Sequence, residues 1–106
     1  VYNRLNSDGI LVAQSESPYF NPETVKQMYS NLRDIFPIVK MYTAHVPIYP
    51  SSYWSFAFCS KKYHPIDDFD AERYKRLRLK NNYYNADVHL GAFCLPEYVK
   101  RLIGER

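Results

Sequence analysis

A chain of 106 residues with 46% apolar side chains has room for one small domain and enough apolar mass for a core. Its formal charge of +3, with 14 basic and 11 acidic residues dispersed apart from one local run, argues against a nucleic-acid binder. The aromatic share of 17%, with eleven tyrosines, points to a tyrosine-rich core or to a pocket that uses ring faces.

Residues 1–5 read as the end of a helix, closed by the turn Asn6-Ser7-Asp8-Gly9. Without an initiator methionine, that opening is expected of a piece of a longer protein. Residues 10–13 form a short unbroken apolar run, the pattern of a strand buried on both faces. Gln14 and Glu16 follow at its carboxyl end, where ligands gather in open α/β sheets.

Asn21-Pro22-Glu23 is a helix start: a side-chain cap, proline in the first turn and an acid near the positive dipole end. Val25, Met28, Tyr29, Leu32, Ile35 and Phe36 recur at helical spacing, and Pro37 marks the stop. Strands are predicted over 38–46 and 54–61. The short loop between them, rich in proline and serine, favours an antiparallel pair. After an irregular acidic stretch, helices are predicted over 71–79, 87–93 and 96–103, with a break at Asn81-Asn82. No internal repeat or low-complexity segment is present.

Most polar features admit an ordinary structural reading. Arg73, Lys75, Arg76, Arg78 and Lys80 read as the solvated face of a helix rather than a phosphate track. His45, His64 and His89 lack metal-ligand spacing, and His89 reads as a structural side chain bonded between layers. Cys59 and Cys94 read as free thiols. No nucleophile motif and no glycine-rich nucleotide turn occurs. No apolar run reaches the ~20 residues of a membrane span. No signal-peptide pattern opens the chain, so a cytoplasmic location is expected.

The aromatic loop is the exception. Tyr49 and Trp54, five residues apart across a proline turn, can face a ligand, and a ring face attracts an ammonium group by roughly 0.5–2 kcal/mol. Gln14 offers both a donor and an acceptor to an amine, and Glu16 offers negative charge to a cation. The residues alone lead to a small α/β piece with an aromatic loop and no further.

Three segments in order carry a resemblance: Gln14-Ser15-Glu16-Ser17, Tyr49-Pro50-Ser51-Ser52-Tyr53-Trp54-Ser55-Phe56 and Tyr83-Tyr84-Asn85-Ala86-Asp87-Val88-His89. Together they resemble the carboxyl-terminal part of the spermidine synthases (polyamine aminopropyltransferases), over about residues 8–102. The resemblance implies an α/β fold: the last part of a Rossmann-like sheet of the methyltransferase type, with an antiparallel hairpin and short terminal helices. It makes residues 1–106 the carboxyl-terminal part of a catalytic domain whose amino-terminal half lies elsewhere.

The implied reaction moves an aminopropyl group from decarboxylated S-adenosylmethionine to putrescine, giving spermidine and methylthioadenosine. No metal or redox cofactor is implied. By the same resemblance Gln14 lies near the attacking amine, Tyr49 lines the putrescine site and Trp54 borders the amine channel. The family's nucleotide turn and its proton-accepting aspartate belong to segments upstream of this stretch. No catalytic residue is therefore expected within these residues, and the piece is expected to be inactive alone.

Two departures stand out. Ser52 occupies a usual glycine position, and Leu90-Gly91 lies where basic residues and alanine are usual. Self-association into a homo-oligomer is a further family expectation. The alternatives are an aminopropyltransferase for another amine, such as agmatine, and a non-catalytic paralogue or binding module on the same fold.

Overall fold

In the computed structural model, which describes residues 1–105, a short 3-10 turn (Tyr2–Arg4) precedes strand β1 (Ile10–Gln14) and helix α1 (Pro22–Ile35). Strands β2 (Ile38–His45) and β3 (Tyr53–Ser60) follow, and then the short helices α2 (Ala71–Leu77), α3 (Ala86–Ala92) and α4 (Glu97–Leu102). The predicted elements are all present, each shifted by a residue or two at its ends. α2 stops at Leu77 because Arg78 takes a left-handed conformation, φ 49°, which closes the helix.

The sheet order is β1-β3-β2, and both pairings are antiparallel. β3 is therefore central, with Phe56 opposite both Gln14 on β1 and Tyr42 on β2. Alternation along β3 sends Ala57 and Cys59 to one face, where both are fully buried against Val25 and Tyr29 of α1. Val39 and Met41 of β2, with Leu95, Val99 and Ile103 around α4, complete this core. The Arg33 guanidinium donates to the Ile103 carbonyl, tying α1 to the end of α4. Burial pushes the Cys59 thiol up to about 11, so it stays protonated and packs as a small apolar group.

The opposite face carries stacked aromatics. Tyr42 and Phe56 lie 5.1 Å apart at 14°, and Phe93 beyond α3 packs on Tyr42 and Phe58. Here β1 departs from the expectation of a strand buried on both faces. Ile10 and Val12 are 42% and 48% exposed. β1 pairs with β3 on one side only, and among the described residues nothing pairs with its other edge.

α1 starts and stops where the sequence signals, but by partly different means. Asn21 is the N-cap residue, yet its side chain accepts no helix N–H. Its ψ of 50° falls short of the 88° at Asp70 and the 177° at Asn85, whose side chains do reach back. Asp70 and Asn85 do make that bond, accepting from Arg73 N at 2.9 Å and Val88 N at 2.8 Å. The stop follows from Pro37: Phe36 before it is extended (φ −104°, ψ 140°), as a pre-proline residue must be. No helix among the described residues is long and apolar enough to cross a membrane.

Candidate functional site

The antiparallel register of β1 and β3 brings Gln14 and Trp54 together. Gln14 is opposite Phe56, and the ladder runs one step past the strand through Ser15 N to the Ser55 carbonyl (2.9 Å) and Ser55 N to the Glu16 carbonyl (3.0 Å). Trp54 then lies beside Gln14, and its indole Nε1 donates to Gln14 Oε1 at 3.1 Å. That bond fixes the carboxamide. Oε1 keeps one lone pair for an incoming N–H.

The loop from β2 to β3 folds Tyr49 back onto the same spot. Val46 N donates to the Ser52 carbonyl (2.7 Å), Tyr49 N to the Val46 carbonyl (3.1 Å) and Ser52 N to the Tyr49 carbonyl (3.0 Å). Ser51 and Ser52 both take left-handed backbone, φ 64° and 60°, which lets this tight return close. The Tyr49 and Trp54 rings end 4.4 Å apart at 36°. They press on each other, so no ammonium fits between them. Trp54 is buried and acts as a shelf, whereas Tyr49 is only half-buried.

Gln14, Tyr49 and Trp54 are thus gathered in one place, and the exposed Glu16 adjoins them with φ 68°. Beneath them lies a group that the sequence reading passed over. Ser15 Oγ is 2.9 Å from the Tyr29 hydroxyl and 2.7 Å from Ser55 Oγ, and all three side chains are fully buried. Burial raises the Tyr29 hydroxyl well above its ordinary pKa, with the bond to Ser15 opposing in part. Tyr29 looked like one more apolar stripe residue. The signal available was its hydroxyl, which needs a partner when the ring is buried.

His89 has the structural role expected of it. Its Nε2 lies 2.7 Å from the Pro65 carbonyl, which can only accept, so Nε2 carries the proton and Nδ1 accepts from the Tyr84 hydroxyl at 2.8 Å. The ring stacks on Phe69 at 3.9 Å. A cleft of about 340 Å³ opens beside it, lined by Val12, Tyr42, Phe58, Tyr84 and Phe93. Gln14, Tyr49 and Trp54 do not line it. No group of three or more metal-ligating side chains gathers among the described residues. The basic run lies on exposed α2 and the residues after it.

Residues 1–71 match the profile of the spermine/spermidine synthase domain. The chain belongs to this family. Curated members it resembles include the polyamine aminopropyltransferases of Clostridium beijerinckii, 49% identical over 104 residues, and of Clostridioides difficile, 50% identical over 106. The matches span 96% and 98% of this chain but 37% and 38% of those proteins. The chain thus spans little more than a third of the length of its curated relatives.

The crystal structure of spermidine synthase from Thermotoga maritima superposes with a TM-score of 0.91 at 37% identity, over 97% of this chain and 36% of that one. A spermidine synthase in complex with the transition-state analogue AdoDATO superposes equally well. The three-stranded sheet, hairpin and short helices are therefore part of the spermidine synthase fold. Within this family frame the Gln14–Trp54–Tyr49 group stands at the carboxyl end of β1.

Proposed function

We propose that this chain is the carboxyl-terminal part of a cytoplasmic spermidine synthase and forms one wall of its amine pocket. The observation that carries the reading is the contact of Gln14, Trp54 and Tyr49 at the end of β1. A slender diamine such as putrescine needs apolar walls for its methylenes and polar or aromatic groups for its two nitrogens. The Tyr49 ring face takes one ammonium. Gln14 Oε1 accepts from the reacting amine, and Glu16 supplies negative charge at the rim.

The co-substrate is decarboxylated S-adenosylmethionine. The amine lone pair attacks the propyl carbon on the sulfonium, the carbon–sulfur bond breaks, and methylthioadenosine departs. The attacking nitrogen releases one proton. A sulfonium leaves readily, so the enzyme's task is to orient the amine and hold it unprotonated. That needs neither metal nor redox cofactor. The proton acceptor is an aspartate outside these residues, so residues 1–106 alone are expected to show no turnover.

The test is aminopropyl transfer by the longer protein that carries this chain. Tyr49→Ala is expected to raise the KM for putrescine by about 10-fold, the equivalent of one ring-face contact, with the KM of the aminopropyl donor nearly unchanged. An unchanged putrescine KM would remove Tyr49 from the amine site and the reading with it.

A further inference from the structure

The buried hydroxyls under the site have a direction. Tyr29 Oη has no partner but Ser15 Oγ among the described residues, so its proton goes there. Ser15 Oγ, now an acceptor from Tyr29, has Ser55 Oγ as its one other hydrogen-bond partner among the described residues and donates to it. Ser55 Oγ in turn sits 2.8 Å from the Glu16 carbonyl and 3.0 Å from that of Ser15, which can only accept. One sequence of donors therefore runs Tyr29 to Ser15 to Ser55 to the backbone of residues 15–16, and every proton is used. The reverse direction would strand the Tyr29 proton in the core.

This sequence ends on a strained turn. Glu16 is held at φ 68°, a region that a side-chain-bearing residue occupies only when its surroundings enforce it. The Glu16 carbonyl is fixed by both Ser55 N and Ser55 Oγ. On the following side, Ser17 Oγ accepts from Phe20 N at 3.1 Å and Tyr19 N at 3.3 Å. Gln14 lies just before the turn and Trp54 just before Ser55.

We propose that the Tyr29–Ser15–Ser55 hydroxyl sequence positions the amine site, by locking the left-handed turn at Glu16 and so setting Gln14 and Glu16 against Trp54 and Tyr49. None of the three hydroxyls touches substrate. They are positioning residues, and their role rests on the amine-site reading given above.

The sequence of donors ranks the variants. Ser55→Ala leaves the Ser15 proton without an acceptor and frees the Glu16 carbonyl from its side-chain bond. Tyr29→Phe removes only the first donor. Ser60 is the control: an equally buried serine at the far end of β3, accepting from Tyr63 N at 2.8 Å and Lys62 N at 3.2 Å.

In the full-length protein, Ser55→Ala is expected to raise the putrescine KM about 10-fold and Tyr29→Phe about threefold, with the KM of the aminopropyl donor within about twofold. Ser60→Ala is expected to lower the melting temperature and leave the putrescine KM unchanged. Trp54 emission, isolated by difference against Trp54→Phe, reads the geometry without turnover. It is expected to shift to the red in Ser55→Ala and not in Ser60→Ala. Equal effects of Ser55→Ala and Ser60→Ala on KM and emission, or no effect of Ser55→Ala on either, would overturn the proposal. If Tyr49→Ala leaves the putrescine KM unchanged while Ser55→Ala still shifts Trp54, the amine-site reading fails and the positioning of Gln14 against Trp54 stands.

Discussion

Ser52 shows what one side chain costs this loop. At φ 60° its Cβ is crowded by its own backbone, a penalty of roughly 1–2 kcal/mol that glycine escapes. The Ser52 N–H and carbonyl both bond within the loop, to Tyr49 and Val46, and glycine keeps both bonds. Ser52→Gly is therefore expected to stabilise the protein by about 1 kcal/mol, less a part returned to the unfolded chain's entropy. A urea midpoint that rises with an unchanged slope is the expected result. A midpoint that falls would show that the serine is unstrained. The sequence pointed to this residue as the odd one in its motif, but the left-handed backbone at its neighbour Ser51 was not legible. Gln14, Tyr49 and Trp54 were legible as a group through a motif resemblance. The Ser15–Tyr29–Ser55 sequence was not, because single serines carry no pattern and a tyrosine fits an apolar stripe.

Among the elements, α1 was the most legible and its cap the least. A 14-residue helix with buried Val25 and Tyr29 on one stripe declares itself by period alone. A cap is a matter of one backbone conformation, which composition does not encode. Asn21 has the right side chain, and its backbone keeps that side chain from the helix. Asn21→Ala is thus expected to cost under about 0.5 kcal/mol, whereas Asp70→Ala and Asn85→Ala, which each break a cap bond, are expected to cost about 1 kcal/mol. Denaturant unfolding of the three variants checks the order; equal losses would mean that the Asn21 side chain does cap in solution. α3 shows a related point at Gly91, where a Cβ would meet nothing within 4 Å. Its glycine is not demanded by packing, and the helix forms around it all the same.

The exposure of β1 belongs to the whole molecule. Its apolar run reads as a strand covered on both faces, yet Val12 and Ile10 are nearly half open, and Tyr19 at 65% and Phe20 at 56% are more so. A sequence pattern reports the surroundings a segment was selected in, and relatives of this chain are more than two and a half times its length. An apolar strand with one free edge pairs readily with another chain. The core of α1 and α4 on one face of three strands also buries less of its surface than a larger domain would. We therefore expect residues 1–106 alone to be marginally stable and to self-associate as concentration rises, and a chain of the relatives' full length to be stable and free of this association. Sedimentation and urea unfolding of both forms measure it. A monomeric 106-residue chain with a cooperative transition of several kcal/mol would show that the α1 and α4 core suffices and that the open strand costs little. In that case the wall proposed for the amine would be a preformed unit, and extending the chain to the relatives' full length would change activity without changing the stability of that unit.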